Sequence, residues 1–315
     1  MSSLKNESQI LVTGGTGFVG SHISISLIQS GYKVVCLDNL TNGKIANLEA
    51  VLDSPNLTLI DGDIRSIEDC QRAMEGCTHV CHLAARSSVL GSTEEELMEN
   101  NLLGTENLLK CALENDISMF VFSSSCAVYG DAEPPITVDL ELRPISTYGQ
   151  SKMLAEKAIE ESGLDYRILR YFNVYGPRQR SDSPYSAVIP IFASKLLTSQ
   201  PPTLYGNGEQ TRDFIHVDDV VSANLAALNG ECELIQNIGT GVATPIAELL
   251  DLIQNIITQQ IPELNIQQPV FANQRIGEIQ HSWSGDSTGT ISLEVGIQDT
   301  INDILASIDI DEESR

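Results

Sequence analysis

The sequence predicts an α/β protein: a doubly wound parallel sheet with a smaller C-terminal lobe. Three observations predict it. Short β-rich runs alternate with amphipathic stretches through the first half, and a glycine-rich turn joins the first run to the first helical stretch. After about residue 173 the alternation breaks into Pro- and Gly-rich loops. Strand–helix alternation implies right-handed crossovers that return each strand parallel to the last.

The expected strands, in order, are QILVT (9–13), KVVCLD (33–38), LTLIDGD (57–63), HVCHLA (79–84), ISMFVFSS (117–124) and YRILRYFN (166–173). Between the fourth and fifth lies EEELMENNLLGTENLLKCALEN, whose apolar residues recur at three- and four-residue intervals, the period of a helix with one buried face. A helix is expected over 93–114 and another over 148–162. Beyond 173 the loops YGPRQRSDSPYS and SQPPTLYGNGEQ alternate with helical stretches, and the chain is expected to return to the sheet near DFIHVDD and LIQNIG. The domain division that follows is 1–173, with return segments near 213–240, and 174–315.

Composition excludes several classes of function. There are 43 acidic and 18 basic residues, a formal charge of −25, which repels nucleic acid and anionic membranes. No apolar stretch approaches the roughly 18 residues of a membrane span, and the polar MSSLKNESQI does not read as a signal peptide. A cytoplasmic protein is expected. The seven cysteines are scattered without a CxxC pair, so neither a zinc site nor a disulfide framework is expected.

In ILVTGGTGFVGSHI, Gly14, Gly17 and Gly20 fall between strand and helix, where they let backbone N–H groups approach a pyrophosphate at the helix N-terminus. Eighteen residues past Gly20 the second strand ends in Asp38-Asn39. A carboxylate there accepts from ribose hydroxyls and disfavours a 2′-phosphate, which favours NAD over NADP. Asp63 lies at another strand end, suited either to an adenine contact or to capping the helix that follows. Ser123 to Ser125 end the fifth strand, and Tyr148 and Lys152 lie four apart on one helical face. The lysine ammonium, helped by the positive nicotinamide of a bound cofactor, is expected to lower the tyrosine pKa toward neutrality, so that Tyr148 takes a proton from a hydroxyl that Ser125 holds.

TGGTGFVG, DNLTNG, GDIR, HLAA, SSSCAVYG, YGQSK, LRYFNVYGP, TRDFIHVDD, NIGTG and RIGEI-HS together resemble the extended short-chain dehydrogenases/reductases, specifically the nucleotide-sugar 4-epimerases. The resemblance runs nearly end to end. It implies a Rossmann-like NAD-binding domain and a UDP-sugar-binding lobe. It also implies a homodimer through two helices per subunit, the stretches carrying Leu97, Leu102 and Leu109 and then Met153 and Ala158. NAD would oxidise C4 of the sugar, the 4-keto sugar would turn, and hydride would return to its other face. The implied cofactor site comprises Gly14, Gly17, Phe18, Val19, Asp38, Asn39, Asn42, Gly43, Asp63, Ile64, Leu83, Ala84, Ala85, Ser123, Tyr148, Lys152, Tyr171 and Val174. The implied sugar-nucleotide contacts are Ser88, Ser125, Tyr148, Asn173, Ala187, Val188, Leu204, Tyr205, Arg212, Arg275, Glu278 and Ser282. Arg212 and Arg275 match diphosphate clamps, a task suited to guanidinium, and Glu278 matches a ribose contact.

Two positions bear on the reaction and the sugar. Where family dehydratases carry an Asp-Glu pair, and decarboxylases a Glu, this chain has Cys126 and Ala127, which cannot do carboxylate acid–base work. Ser282, seven residues past Arg275, stands where a bulky Tyr marks enzymes confined to UDP-glucose and UDP-galactose. A short side chain there implies UDP-GlcNAc/UDP-GalNAc interconversion. Arg86 in HLAARSS points instead toward a carboxylated sugar, so a UDP-glucuronate or UDP-glucose 4-epimerase is the alternative. A non-catalytic NAD-binding sensor is a further one, opposed by the intact Ser125, Tyr148 and Lys152. The ending WSGDSTGTISLEVG departs from the family's usual form.

Overall fold

A computed structural model describes Leu4 and residues 8–86, 93–181, 187–274 and 279–313. Ser88, Arg275 and Glu278 lie outside these residues. The chain forms two compact units. The first comprises Met1–Gly130, Val138–Tyr171 and Val220–Ile238; the second comprises Asp131–Thr137, Phe172–Asp219 and Gly239–Arg315. The expected division at 173 and 213–240 thus differs in detail: 131–137 falls with the second unit, and the returning segment is 220–238.

The first unit is built on a seven-stranded, wholly parallel sheet. Its strands are β1 (Gln9–Thr13), β2 (Lys33–Asp38), β3 (Leu57–Asp61), β4 (His79–His82), β5 (Met119–Ser125), β6 (Tyr166–Tyr171) and the returning Ile235–Ile238. From one edge the order is Ile235–Ile238, β6, β5, β4, β1, β2, β3. The order reverses between β1 and β4, the switch point of a doubly wound sheet. Central strands are covered on both faces: all of β4 and the first six residues of β5 are buried, the apolar Met119–Phe122 together with His79, His82, Ser123 and Ser124. Leu11, Val35, Val80, Phe120 and Phe122 pack there with Leu108 and Ile159 from the helices. The edge strand β3 is largely exposed.

Helices α1 (Phe18–Gln29), α2 (Ile67–Met74), α3 (Glu94–Met98), α4 (Gly104–Glu114) and α5 (Thr147–Glu160) belong to this unit. The single helix expected over 93–114 is divided. Thr93 and Glu96 form a capping box that starts α3, and a π turn at Glu99–Leu103 separates α3 from α4. The Asn100 side chain donates to the Glu96 carbonyl at 2.7 Å, a local bond that competes with the regular ladder.

The second unit has its own core, where the helices Val188–Leu197, Ile246–Gln260 and Leu293–Glu313 bury Phe192, Leu196, Leu249, Ile253, Ile297 and Ile301. DFIHVDD does not return to the large sheet. Phe214–His216 instead pairs in parallel with Asn173–Tyr175 in a two-stranded sheet. Thr211–Arg212 lies between Thr244–Pro245 and His281–Ser282, and Thr203–Tyr205 pairs with Val270–Ala272. Among the described residues no helix is long and apolar enough to cross a membrane, and no His/Cys/Asp/Glu group could hold a metal.

Candidate active site

The three serines that end β5 do three different things. Ser123 shares a 2.9 Å hydrogen bond with the Tyr171 phenol, and its carbonyl accepts from Lys152 Nζ at 2.8 Å. The Ser124 hydroxyl donates to the Glu156 carboxylate. Ser125 Oγ accepts the Ala127 amide at 3.2 Å and acts on the Tyr148 phenol, favouring its ionised form. Helix α5 supplies one partner to each serine: Tyr148, Lys152 and Glu156 recur every four residues and so share one face. Ser146 caps it, accepting the Gly149 amide at 3.1 Å.

Burial sets the charges here. Lys152 is 3% exposed, its ammonium 4.6 Å from the Phe122 ring centroid, and burial depresses its pKa to about 7 although Glu156 works the other way. The Tyr148 phenol is pushed up to about 12 by burial, with the Ser125 hydrogen bond opposing the rise. The expected lowering by Lys152 is therefore absent from the protein alone. A half-neutral amine exerts little pull on a desolvated phenol.

Next to this group stands His82, which sequence reasoning passed over as part of HLAA. The Thr105 hydroxyl donates to the Asn101 carbonyl at 2.6 Å, so it accepts from His82 Nε2–H at 2.9 Å. Nδ1 then accepts from Thr13 at 2.7 Å, and Thr13 accepts the Ala84 amide at 3.1 Å. Burial, then Lys152, hold the imidazole well below its usual pKa, so it is neutral. Asn101, turned inward by the π turn, accepts from the Arg86 amide and donates to the Arg86 carbonyl and to Ser151. The 82–86 turn is thereby tied to both β1 and α5.

The carboxyl edge of the same sheet carries the expected cofactor residues of this unit. Gly14 has φ +68°, and a Cβ on it would come 3.0 Å from the Ala84 backbone; one on Gly20 would overlap the Gly14 carbonyl. Helix α1 begins at Phe18 and Val19 with no capping side chain and no acidic residue in its first turn, so its amides suit a phosphate. The Thr16 hydroxyl is buried there without a hydrogen-bond partner. Asp38, ending β2, accepts the Thr16 and Leu40 amides at 3.0 and 2.9 Å, and a Cβ on Gly43 would crowd both its oxygens. Asn39 donates to Asp63, which is also clamped by Arg65 and held at a pKa of about 2, first by the Arg65 hydrogen bond. Ser66, not Asp63, caps α2. Ile64 is buried in the core, Asn42 is exposed, and Leu83 to Ala85 follow β4. These residues fit a dinucleotide.

In the second unit, Asp213 ties together segments that lie far apart in sequence, and of its partners only Asn173 is among the expected sugar-nucleotide contacts. Its buried carboxylate accepts from Thr240 (amide and hydroxyl), Gly241 and Ser284, at 2.6–3.1 Å, and its carbonyl accepts the Asn173 amide. Arg212 is its chain neighbour and lies opposite Ser282 in the strand pair. Arg212 donates to the Thr211 and Gln280 carbonyls. Leu204 is buried and Tyr205 partly exposed in the strand that pairs with Val270–Ala272. Ala187 and Val188 start the helix Val188–Leu197, and Val174 lies in the Asn173–Tyr175 strand.

The family model described as "NAD dependent epimerase/dehydratase family" matches residues 10–239. The chain belongs to this family. It is 42% identical over 257 residues, 79% of this chain and 82% of the relative, to a Methanocaldococcus jannaschii protein whose UDP-glucose 4-epimerase assignment is itself provisional. A UDP-glucose 4-epimerase of Thermotoga maritima with UDP-glucose superposes with TM-score 0.87 and 33% identity, covering 95% of this chain and 99% of that one. A UDP-N-acetylglucosamine 4-epimerase of Methanobrevibacter ruminantium, in complex with UDP-N-acetylmuramic acid, gives 0.87 and 34%, covering 96% and 99%. As a family member the chain is an NAD-dependent enzyme, which removes the sensor reading. Gly20→Ala is expected to lower NAD retained on purification, because the added methyl has no room beside Gly14; quantifying nucleotide released on denaturation checks this.

Proposed function

We propose that the protein is a UDP-sugar 4-epimerase acting through a 4-keto intermediate, with UDP-GlcNAc and UDP-GalNAc as preferred substrates. The observation that carries the reaction is the Ser125–Tyr148–Lys152 arrangement with Cys126 and Ala127 beside it. Relatives of this chain include a sugar-nucleotide decarboxylase and a 4,6-dehydratase, so the residues must discriminate. Without a carboxylate at 126 or 127, neither elimination nor its reversal has an acid–base pair.

Ser125 holds the C4 hydroxyl, Tyr148 accepts its proton and later returns it, and Lys152 supports the phenolate. NAD, when bound, supplies the hydride acceptor and donor and a positive charge near Tyr148. Gly14, Gly17, Phe18 and Val19 would hold its pyrophosphate and Asp38 its adenine ribose. In the second unit Arg212 and Asn173 suit the diphosphate, and the short Ser282 side chain suits an N-acetyl sugar. The first unit is thus assigned to the cofactor and the second to the UDP-sugar.

The glucuronate alternative rests on Arg86. Its guanidinium already lies 3.4 Å from Glu96, a carboxylate of its own unit, which weighs against it. Incubation with UDP-GlcNAc, UDP-glucose and UDP-glucuronate separately, with chromatographic resolution of the products, tests the assignment. Turnover of UDP-GlcNAc is expected, and turnover of UDP-glucuronate alone overturns the preference.

We further infer a cytoplasmic homodimer. Leu97 and Leu109 are buried within the unit and take no part in such an interface, but Leu103 and Leu113 are 44% and 51% exposed. Light scattering at micromolar concentration should give twice the chain mass, and a monomer mass would refute the dimer.

A further inference from the structure

Glu156, on the face of α5 that carries Tyr148 and Lys152, is 2% exposed. Both its oxygens accept from Arg170 (Nη2 to Oε2 at 2.7 Å, Nε to Oε1 at 3.1 Å), and Oε1 also takes the Ser124 hydroxyl. Arg170 is 3% exposed and donates onward to the Tyr129 phenol at 2.8 Å and the Val138 carbonyl at 3.2 Å; Tyr129 donates to Asn237 at 2.7 Å. A buried row therefore runs from the middle serine of β5 through α5 and β6 to the last strand of the sheet. A buried ion pair is weak evidence for stability, since desolvation consumes most of its Coulomb gain. This row must therefore be weighed for what it positions.

It stands one helical turn from Lys152. That ammonium has the Ser123 carbonyl and the Phe122 ring as contacts, and no carboxylate bonded to it. The titratable and charged groups around it are Tyr148 and Glu156 on its own helix, Arg170 and Tyr171 at the end of β6, and the neutral His82 from β4. Glu156 is the one anion among them, and it acts to raise the lysine pKa against burial. Through Ser124, it also fixes α5 against the strand whose neighbouring serines touch Lys152 and Tyr148.

We propose that Glu156 is a positioning residue for the Tyr148–Lys152 pair: locked by Ser124 and Arg170, it seats α5 on β5 and places a carboxylate one helical turn from the Lys152 amine. The proposal rests on the reading of Tyr148 and Lys152 as the acid–base pair. Losing the Glu156 charge lets Lys152 deprotonate at lower pH. The Tyr148 phenolate, with less cation beside it, then forms at higher pH.

The test uses the NAD-loaded enzyme carrying Glu156→Gln, with Glu156→Asp as the variant that keeps the charge. Two readouts are taken: the pH dependence of kcat, and the ultraviolet difference absorbance of the Tyr148 phenolate measured against the same protein with Tyr148→Phe. For Glu156→Gln the bell of kcat should narrow from both sides. Its alkaline limb should move down and the phenolate titration up, each by about one pH unit, and Glu156→Asp should restore both. A purely structural role would lower kcat equally at all pH values and leave the phenolate titration unmoved, which overturns the proposal. If Glu156→Gln fails to fold with Arg170 left unpaired, Glu156→Gln/Arg170→Met removes both ions. The same shifts, smaller, are then expected, and an unchanged phenolate titration again overturns the proposal. The phenolate measurement needs no substrate, so failure of the epimerase reading appears separately, as a wild type that turns over no UDP-sugar.

Discussion

Tyr148→Phe is expected to leave the fold and the bound NAD intact and to lower turnover by several orders of magnitude. General acid–base catalysis alone contributes about 10²- to 10⁴-fold. The ring volume is kept, and the phenol's assigned partner is a single hydroxyl, so stability should change by only about 1 kcal/mol. The effect should thus fall on kcat. In the protein alone the phenol sits at a pKa of about 12 and the Lys152 amine at about 7, an arrangement poorly suited to proton transfer near neutrality. The positive charge of bound NAD favours the phenolate, so loss of the phenol should show fully in the loaded enzyme. Turnover near that of wild type, with NAD content unchanged, would sink the acid–base assignment.

Local signals carried most of this site. The glycine-rich turn, the serines ending an apolar run and the Tyr–Lys spacing are read within a few residues, because strand ends and helix faces are local properties. The contacts that seat them join residues far apart in the chain. In the sequence Glu156 is one acidic residue within an expected helix, Arg170 lies in an expected strand and Asn237 in NIGTG. No periodicity announces that they meet. His82 and Asn101 were invisible for the same reason, and the π turn that aims Asn101 leaves the apolar spacing of its helix nearly unchanged. DFIHVDD shows the opposite failure. Its alternation marked a strand correctly, but pattern does not choose the partner, and Phe214–His216 joined Asn173–Tyr175 rather than the large sheet.

Ser282→Tyr is expected to exclude N-acetyl sugars while sparing the chemistry. Ser282 is 7% exposed and lies opposite Arg212, in a strand whose next turn is pinned by the Ser284 amide to Asp213. The backbone there is held firmly, so a phenol cannot be accommodated by the strand moving away. It must take the volume beside Arg212 instead, the space assigned to the acetamido group. Overpacking of that kind costs roughly 1–3 kcal/mol, or about tenfold to a few hundredfold in selectivity. Ser125, Tyr148 and Lys152 belong to the other compact unit, and their hydrogen bonds do not involve this strand. Turnover of UDP-GlcNAc should therefore fall far more than turnover of UDP-glucose, with NAD content unchanged. Equal loss of both would mean that Ser282 serves only to pack the strand against Arg212, and the N-acetyl preference would lose its main support. A wild type active on UDP-glucuronate alone would shift the choice of sugar to Arg86, and its pairing with Glu96 would then have to open for the substrate carboxylate to bind.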